Sequence, residues 1–508
     1  MSTASSDGAL ALKTEEVGKH NKRDDCWVIV HGAAYNVTEF MPEHPGGSAI
    51  ILKYAGKDAT AAYEPIHPKG TIEQYLPKDK HMGTVDMKGL KLVEAELSPA
   101  DKERQGKLAD KPPLSECLSL HDFETVAKET MTQAAWAYYS SGSDDEVTMR
   151  ENHIAYQRLW FRPRVLRDVT NIDFSTTMLG TKVSMPIYIT ATALGKLGHP
   201  DGEKNLTWAA AKQDVIQMIP TLASCSFDEI REAAVDGQTQ WMQLYVNKDR
   251  AITKKIVQNA ERVGIKGLFI TVDAPQLGRR EKDMRMKFAD TGSSVQQGDG
   301  SVDKSQGAAR AISSFIDPGV CWADMEWFKS ITNMPLILKG VQSWEDAVKA
   351  AEMGLQGVVL SNHGGRQLDF ARSGIEVLVE VVPELKKRNL WSDKFEVYID
   401  GGVMRAGDVM KAIALGAKGV GIGRPFLYAY SAYGAEGVVR AIQILKDEME
   451  MNMRLIGAPT IADLTPDMVD ASAIKFRNIG ATDDKLFFQN YESLRAREFS
   501  KPQPKSKL

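Results

Sequence analysis

The chain has 508 residues, of which 43% are hydrophobic and 26% are charged, and its formal net charge is −4. This length exceeds what one hydrophobic core supports and predicts two or more domains. The charge balance excludes the basic surface that nucleic acid binding requires, and no apolar run approaches the ~18 residues of a membrane-spanning helix.

The first predicted domain covers residues 10–85 and is compact and rich in aromatic and turn residues. His44 lies in the turn sequence EHPGG, and His67 follows in EPIHPKG. Two histidines on opposite walls of an apolar crevice can ligate a haem iron from both sides, whereas an isolated His-Pro-Gly would more simply mark a turn. The stretch DDCWVIVHGAAYNVTEFMPEHPGG (24–47) as a whole resembles the cytochrome b5-like haem domain. That resemblance implies a small α+β domain that binds haem b, with His44 and His67 as the axial ligands of the iron.

A second, larger domain is predicted after a linker. Residues 86–116 are mostly charged and small, which predicts a linker with one or two helical turns. From 117 to 490, short apolar runs alternate with amphipathic stretches. Strands that alternate with helices predict an α/β fold, here a parallel (β/α)8 TIM barrel. Its eight predicted strands cover residues 185–193, 215–222, 241–246, 267–274, 335–340, 357–365, 397–402 and 419–424.

Two later segments are predicted to be irregular. Residues 287–320 form a long Gly- and Ser-rich connection after the fourth strand, which is typical of a lid or a disordered insertion. Residues 491–508 are predicted to be a flexible tail. The tail ends in Ser506-Lys507-Leu508, a tripeptide that acts as a peroxisomal address at a free carboxyl end, and we therefore expect a peroxisomal protein.

Chemically active side chains are predicted at the mouth of the barrel, because the active site of a TIM barrel lies at the carboxyl ends of its strands. The predicted strand ends carry Tyr245, Asp273, Lys339 and His363. His363 suits a general base near neutral pH, and Asp273 would stabilise its protonated ring. Lys339 supplies a fixed cation, and the planar guanidinium groups of Arg366 and Arg280 suit a carboxylate.

The last two predicted strands end in glycine-rich segments. The seventh ends in Asp400-Gly401-Gly402, and the eighth ends in Gly423-Arg424. Such loops form the usual phosphate cradle of a barrel, which predicts a phosphorylated cofactor or substrate. Each of these signals is weak alone, since a lone histidine at a strand end is more often structural. Their convergence on one face favours a catalytic site.

Four segments resemble the FMN-dependent 2-hydroxy-acid oxidoreductases: AYYSSG (137–142), TVDAPQLGRRE (271–281), LKG (338–340) and SNHGGRQLD (361–369). The resemblance implies that His363 accepts a proton and that Tyr245 binds the substrate hydroxyl. It also implies that Arg366, with Tyr138 and Arg280, binds the substrate carboxylate. Whether the α-hydrogen leaves as a hydride or as a proton stays open. The implied FMN contacts are Ala191, Thr192, Ala193, Gln243, Thr271, Lys339, Asp400, Gly401, Gly402, Arg405, Gly423 and Arg424.

The sequence departs from this family at the flavin site. Met404 stands where the family usually has an arginine after DGGV, and Pro220 stands where related flavocytochromes have a serine. These departures predict FMN binding that is retained but weakened. Leu222 and Ala191 stand where glycolate oxidases carry Trp and Pro, which matches the flavocytochromes that oxidise lactate.

The order of the two domains resembles these flavocytochromes as well. It implies oxidation of L-lactate to pyruvate, with electrons passing from FMN through haem b to an acceptor such as cytochrome c, in a homotetramer. It also implies the mitochondrial intermembrane space, as an alternative to the peroxisome. Two other functions stay open, a peroxide-forming L-2-hydroxy-acid oxidase and a non-catalytic haem electron carrier. Nicotinamide chemistry is disfavoured because no G-x-G-x-x-G follows a first Rossmann strand.

Overall fold

The computed structural model describes residues 11–41, 48–64, 67, 70–87, 99–290 and 316–476. His44, most of the predicted insertion 287–320 and the terminal residues 506–508 lie outside the described residues.

The N-terminal domain is built on a five-stranded sheet, whose strands are β1 (Leu12–Lys13), β2 (Asn21–Lys22), β3 (Asp25–Val30), β4 (Ala33–Asn36) and β5 (His81–Asp86). Their spatial order is β1-β5-β4-β3-β2, with β1 parallel to β5 and the other neighbours antiparallel. Four short helices accompany the sheet: α1 (Thr14–Val17), α2 (Ser48–Lys53), α3 (Thr60–Tyr63) and α4 (Thr71–Tyr75). The prediction of a small α+β domain is confirmed.

Strand β3 shows why this domain folds around a sheet. Its side chains alternate, so that Cys26 and Val28 pack in one apolar cluster with Leu76, while Ile29 packs in another with Val17. A period of two residues places successive side chains on opposite faces, and both faces of this strand are covered.

Helices and short strands precede the barrel. Within the predicted linker, α5 (Pro99–Ala109) is about three turns long, which exceeds the one or two turns expected. The following elements are α6 (Leu120–Thr130), α7 (Gln133–Ser140), α8 (Val147–Gln157), β6 (Trp160–Phe161), β7 (Thr176–Met178) and β8 (Thr181–Val183). The hairpin of β7 and β8 contributes Met178, which is fully buried with the side chains inside the barrel.

Eight parallel strands close into the barrel: β9 (Ile187–Ile189), β10 (Ile216–Ile219), β11 (Gln240–Leu244), β12 (Leu268–Thr271), β13 (Leu336–Val341), β14 (Gly357–Leu360), β15 (Glu396–Asp400) and β16 (Gly419–Ile422). The barrel closes where Val420 of β16 pairs with Ile187 of β9. All eight predicted strands are present, and the prediction of a (β/α)8 barrel is confirmed. The observed strands are mostly shorter than the predicted ones, because residues at their carboxyl ends turn into the loops of the mouth.

The helices after β9 are α9 (Lys204–Gln213), α10 (Phe227–Glu232), α11 (Arg250–Arg262), α12 (Glu281–Asp290), α13 (Asp324–Ile331), α14 (Trp344–Glu352), α15 (Gly374–Lys387), α16 (Ala406–Ala414) and α17 (Arg424–Ile456). The first residues of the predicted insertion belong to α12. The long α17 is broken at Gly434, where φ is +61°. A final short strand, β17 (Val469–Asp470), pairs with β6. No helix among the described residues is long and apolar enough to cross a membrane.

The interior of the barrel is filled with aromatic side chains. Tyr188, Trp241, Phe269 and Tyr398 are fully buried there, and the ring centroids of Trp241 and Phe269 lie 4.8 Å apart. Gly421 faces this layer, where a Cβ atom would approach the Tyr188 ring to 2.7 Å. The barrel is therefore a packed core, and its chemistry is confined to the mouth.

Candidate active site

A cavity of about 370 Å³ lies at the carboxyl ends of the barrel strands. Helices α6, α7 and α8, which precede the barrel in the chain, also contribute to its walls. Most of the predicted site residues line it: Tyr138, Ala191, Thr192, Ala193, Gln243, Tyr245, Arg280, Lys339, His363, Arg366, Asp400, Gly401, Gly402, Gly423 and Arg424. Asp273, Thr271 and Arg405 are not among its lining residues.

His363 is held between two partners. Its Nδ1 atom lies 3.0 Å from Asp273 Oδ1, and its Nε2 atom lies 3.0 Å from the Tyr245 hydroxyl oxygen. The ionised carboxylate only accepts hydrogen bonds, so the Nδ1–H donates to it and the lone pair is on Nε2. Burial, followed by the negative charge of Asp273, raises the pKa of Tyr245, which therefore keeps its proton and donates it to Nε2. This arrangement fixes the tautomer that a general base at Nε2 requires.

Asp273 supports His363 from beneath the cavity, with a side chain that is 1% exposed. Burial opposes ionisation of its carboxyl group, but the charge and hydrogen bond of His363 and the charge of Lys339 outweigh burial and lower the pKa of Asp273. The side-chain amide of Gln367 donates to the main-chain oxygen of Asp273 at 2.7 Å. An ionised Asp273 is therefore positioned to stabilise a protonated His363.

Gly340 leaves the room that Asp273 occupies. Its φ is +108°, and a Cβ atom built there would lie 2.4 Å from Asp273 Cγ. We expect Gly340→Ala to lower the rate of substrate oxidation by more than tenfold, because Asp273 must shift away from His363. Gly354→Ala is a matched control, since Gly354 has a φ of +72° and no atom within 4 Å of its Cβ position. In both variants the strained backbone should lower the free energy of unfolding by about 1–3 kcal/mol, measured by thermal unfolding. Only Gly340→Ala should also lose activity. Equal activities would contradict the steric argument.

Lys339 is a buried cation on the same wall, with a side chain that is 5% exposed and an Nζ atom 3.3 Å from Asp400 Oδ2. Burial alone would lower its pKa, but the carboxylates of Asp400 and Asp273 outweigh this effect and raise it. The Ser361 hydroxyl donates to Asp400 and lies 3.4 Å from Lys339 Nζ. Lys339 therefore presents a permanent positive charge to the cavity.

Two arginines flank Tyr138 on the other side. The guanidinium carbons of Arg366 and Arg280 lie 5.1 and 5.5 Å from the centre of the Tyr138 ring. Arg366 Nη1 donates to the main-chain oxygens of Tyr138 and Tyr139 at 2.9 and 3.1 Å. Arg280 is 5% exposed, and its Nε has no hydrogen-bond partner among the described residues. Two cations and a buried hydroxyl in one wall suit a substrate carboxylate.

The glycine-rich end of the cavity differs from the expectation at one arginine. Arg424 lines it and donates to the main-chain oxygens of Tyr139, Ser141 and Gly364 at 2.9–3.1 Å. Arg405, in contrast, immediately precedes α16, and its side chain pairs with Glu448 on α17 at an Nη1–Oε1 distance of 2.6 Å. The structure therefore does not bring Arg405 to the cavity.

The remaining wall suits a flavin. Gln243 donates to Thr271 Oγ1 at 2.8 Å, so Thr271 acts through Gln243 and does not itself reach the cavity. The buried hydroxyls of Ser140 and Thr190 line the cavity and have no hydrogen-bond partner among the described residues. Lys339 could hold the polar edge of the ring, and Arg424 could hold the phosphate end. The donors, the unpaired hydroxyls and the volume fit FMN.

For the haem, the structure describes one of the two predicted ligands. The Nδ1 atom of His67 lies 3.1 Å from the main-chain oxygen of Tyr63, and the two rings stack with centroids 4.3 Å apart. A carbonyl only accepts, so the Nδ1–H donates and the lone pair is on Nε2, the form that ligates iron. Tyr63 itself packs against the apolar cluster of this domain, as do Ile51, Leu52 and Ile72.

Several residues that position the site were not singled out from the sequence. The side-chain amides of Asn362 and Asn152 hydrogen-bond each other, which ties the loop after β14 to α8. Asp369 accepts from the main-chain amides of Val147 and Thr148 and so caps α8. Asp369 is the last residue of SNHGGRQLD, so the motif itself could have indicated a structural role for it. Asn152 offered no such signal.

His121 and His153 also line the cavity and were not predicted. Both lie on helices that precede the barrel, and their rings have centroids 6.0 Å apart. No spacing in the sequence relates them to the mouth of the barrel, and His153 contacts Gly402, after β15, only in the folded chain.

Comparison with known proteins gives matches to both domains. The family model described as FMN-dependent dehydrogenase matches residues 127–471, and the cytochrome b5-like heme/steroid binding domain matches residues 13–86. The L-lactate dehydrogenase (cytochrome) of Wickerhamomyces anomalus is 56% identical over 96% of this chain and 85% of its own length. The enzyme of the same name from Saccharomyces cerevisiae is 52% identical over 96% and 84%.

Among solved structures, the recombinant flavin-binding domain of baker's yeast flavocytochrome b2 is 52% identical to this chain. It superimposes with a TM-score of 0.70 and covers 80% of this chain and 100% of its own. The predicted cofactors, FMN in the barrel and haem in the N-terminal domain, agree with both family matches. The chain belongs to the FMN-dependent dehydrogenase family and carries a cytochrome b5-like haem domain ahead of its barrel.

Proposed function

We propose that this chain oxidises a small L-2-hydroxy acid, L-lactate to pyruvate, and passes the electrons through haem b to an external acceptor such as cytochrome c. The observation that carries the proposal is the hydrogen-bonded series of Tyr245, His363 and Asp273 beside the buried Lys339. The relatives that align with 96% of the chain, which are named L-lactate dehydrogenase (cytochrome), support the same reaction.

The protein's own groups handle the protons and the charge. When bound, FMN supplies the two-electron acceptor for the substrate carbon, and haem supplies the one-electron relay. The Nε2 atom of His363 takes a proton from the substrate, and Asp273 stabilises the imidazolium that results. Tyr245 already lies 3.0 Å from Nε2, so a substrate hydroxyl placed between the two would donate its proton to Nε2 and accept a hydrogen bond from Tyr245.

The cavity wall orients the substrate. Arg366 and Arg280 bind the carboxylate on either side of Tyr138, which fixes the α-carbon with respect to His363. Ala191, Pro220 and Leu222 form an apolar part of the wall. That lining suits the methyl group of lactate and leaves room for slightly longer side chains.

The proposal predicts an ordered pair of reductions. On anaerobic mixing of the full chain with L-lactate, we expect flavin bleaching followed by haem reduction. His67→Ala should keep the bleaching and abolish haem reduction, because it removes one axial ligand of the iron. His31→Ala is the control, since His31 is an exposed histidine of the same domain outside the predicted ligand pair. Absorbance at the flavin and haem bands reports both steps in one stopped-flow trace.

Three other results of this experiment would each favour a different function or substrate. Flavin that bleaches while the wild-type haem stays oxidised would favour the peroxide-forming oxidase. Haem that is reducible by dithionite in a chain whose flavin responds to no 2-hydroxy acid would favour the electron carrier. Bleaching by longer 2-hydroxy acids but not by L-lactate would overturn the choice of substrate alone.

For assembly and compartment, we propose a homotetramer that works beside a cytochrome acceptor in the mitochondrial intermembrane space. The peroxisomal prediction finds no support in the two relatives that align with 96% of the chain, and the tripeptide on which it depends lies outside the described residues. Mass photometry of the full chain tests the tetramer. Imaging of an internally tagged chain tests the compartment, and co-localisation with a peroxisomal marker would restore the first prediction.

A further inference from the structure

The phosphate end of the cavity is poor in cations. The loops after the last two strands bind phosphate groups in TIM barrels, and the phosphate of FMN carries a charge of about −1.5 to −2 near pH 7. Here Met404 lines that end with an apolar side chain, and Arg405 pairs with Glu448 outside it. Arg424 is engaged by three main-chain oxygens. Arg424 alone would leave part of the phosphate charge unbalanced.

Two histidines line the same cavity beside these loops. His121 lies in the first turn of α6 and His153 lies on α8, with their rings in an edge-to-face arrangement at an interplanar angle of 77°. Neither ring forms an ion pair with a carboxylate within the part of the chain that the structure describes. Both histidines line the same cavity as Met404.

The hydrogen bond of His153 determines what it offers to an anion. Its Nδ1 atom lies 2.9 Å from the main-chain oxygen of Gly402, in the loop after β15, and this oxygen only accepts. The neutral ring therefore carries its proton on Nδ1 and has a lone pair on Nε2, which repels a phosphate oxygen. The protonated ring has a second N–H donor and a positive charge. An anion at this end therefore favours the protonated form of His153.

We propose that His121 and His153, as imidazolium cations, bind the FMN phosphate beside Met404 and make the affinity for FMN depend on pH. This inference rests on FMN as the cofactor and on no step of the proposed reaction. Only the protonated rings carry the positive charge and the second N–H donor that the phosphate requires, so the affinity for FMN should fall as the pH rises.

The other charged groups around the pair are few. On α6, Glu124 lines the cavity one turn after His121 and is the carboxylate of that helix at the cavity wall. On α16, burial raises the pKa of Asp408, while the charges of His153 and Lys411 oppose that rise. The positive charge of Arg405, just before α16, contributes to lowering the pKa of Asp122 at the start of α6. A variant without the two histidines separates their titration from that of these neighbours.

The test measures release of FMN from the full-length holoenzyme. Flavin fluorescence after serial dilution gives the dissociation constant between about pH 6 and about pH 8. We expect the wild-type constant to rise about tenfold or more across this range, and His121→Gln and His153→Gln each to raise it about tenfold at the acidic end, since charge-assisted hydrogen bonds are lost. The double variant should bind FMN weakly with no pH dependence.

Two further variants keep the result interpretable. Met404→Arg in the double variant should restore tight and pH-independent binding, because it supplies a permanent cation, and it also shows that the barrel is folded. His31→Gln, with an exposed histidine of the haem domain, should behave as the wild type. A double variant that keeps the wild-type affinity and pH profile would overturn the proposal. Because no substrate is used, this result is independent of whether L-lactate is oxidised.

Discussion

His363→Gln is expected to slow anaerobic flavin bleaching by about 10²–10⁴-fold, the usual contribution of a general base. Glutamine retains hydrogen-bonding capacity toward Asp273 and Tyr245, so the cavity should keep its shape. It cannot hold a proton between pH 5 and pH 9, however, and the substrate proton then has no acceptor. The measurement is the single-turnover rate of flavin reduction in a stopped-flow spectrometer, at saturating L-lactate.

The matched comparison for this variant is Asp273→Asn. The amide NH₂ group of asparagine donates to Nδ1 of His363 and so places the ring proton on Nε2, which inactivates the base without removing it. We expect a loss comparable to that of His363→Gln. FMN and haem content should be unchanged in both, since neither residue is among the proposed ligands of FMN or haem. Flavin reduction within tenfold of the wild-type rate in His363→Gln would exclude His363 as the base.

The barrel could be predicted because each of its strands is marked by a local pattern in the sequence. Each strand is a short apolar run between turn residues, and the mouth follows from topology once the strands are in order. Tyr245, Lys339 and His363 therefore line one cavity, as their positions at the ends of predicted strands indicated. The strand ends are the least accurate part: the predicted strand ran to residue 365, whereas the structure ends β14 at Leu360 and residues 361–365, which are polar residues and glycines, form a loop.

The prediction that Arg405 contacts the cofactor illustrates the limit of reading a site from neighbouring residues in the sequence. Arg405 is adjacent to Met404, and both follow the same strand, yet only Met404 lines the cavity. The main-chain amides of both residues donate to Asp408, which starts α16 at this point. Which of the two side chains faces the cavity depends on the residue at which α16 begins, and Glu448, the partner that holds Arg405 outside, lies 43 residues further along the chain on α17. The spacing of the glycines predicts neither the start of α16 nor the contact with Glu448.

His121, His153 and Asn152 were missed for a related reason. They lie on α6 and α8, which precede the barrel, and they reach its mouth through contacts such as that of Asn152 with Asn362. Contacts at a sequence separation of 210 residues leave no periodic signal. Tyr138, on α7, was found only because AYYSSG resembles a family motif.

Lys339→Met is expected to damage both stability and chemistry. Methionine fills most of the lysine volume but removes the cation that lies 3.3 Å from Asp400 and lowers the pKa of Asp273. Breaking a buried pair by removing one partner costs about 3–5 kcal/mol, and losing a preorganised charge slows the chemical step by about 10²–10³-fold. Chemical denaturation and single-turnover flavin reduction measure the two effects. Lys349→Met, at an exposed cation over Trp322, should cost less than about 1 kcal/mol.

The pH dependence distinguishes charge from packing in this variant. In the wild type, the lowered pKa of Asp273 stabilises the fold above its ordinary titration range, and this stability is lost as the pH falls. Lys339→Met removes part of that stabilisation, and protonation of Asp273 at low pH removes the negative charge that Lys339 would otherwise stabilise. The stability difference between wild type and variant should therefore narrow on acidification. Lys339→Arg, which keeps the charge, should follow the wild-type pH profile, whereas a constant difference for Lys339→Met would mean that Lys339 contributes through packing alone.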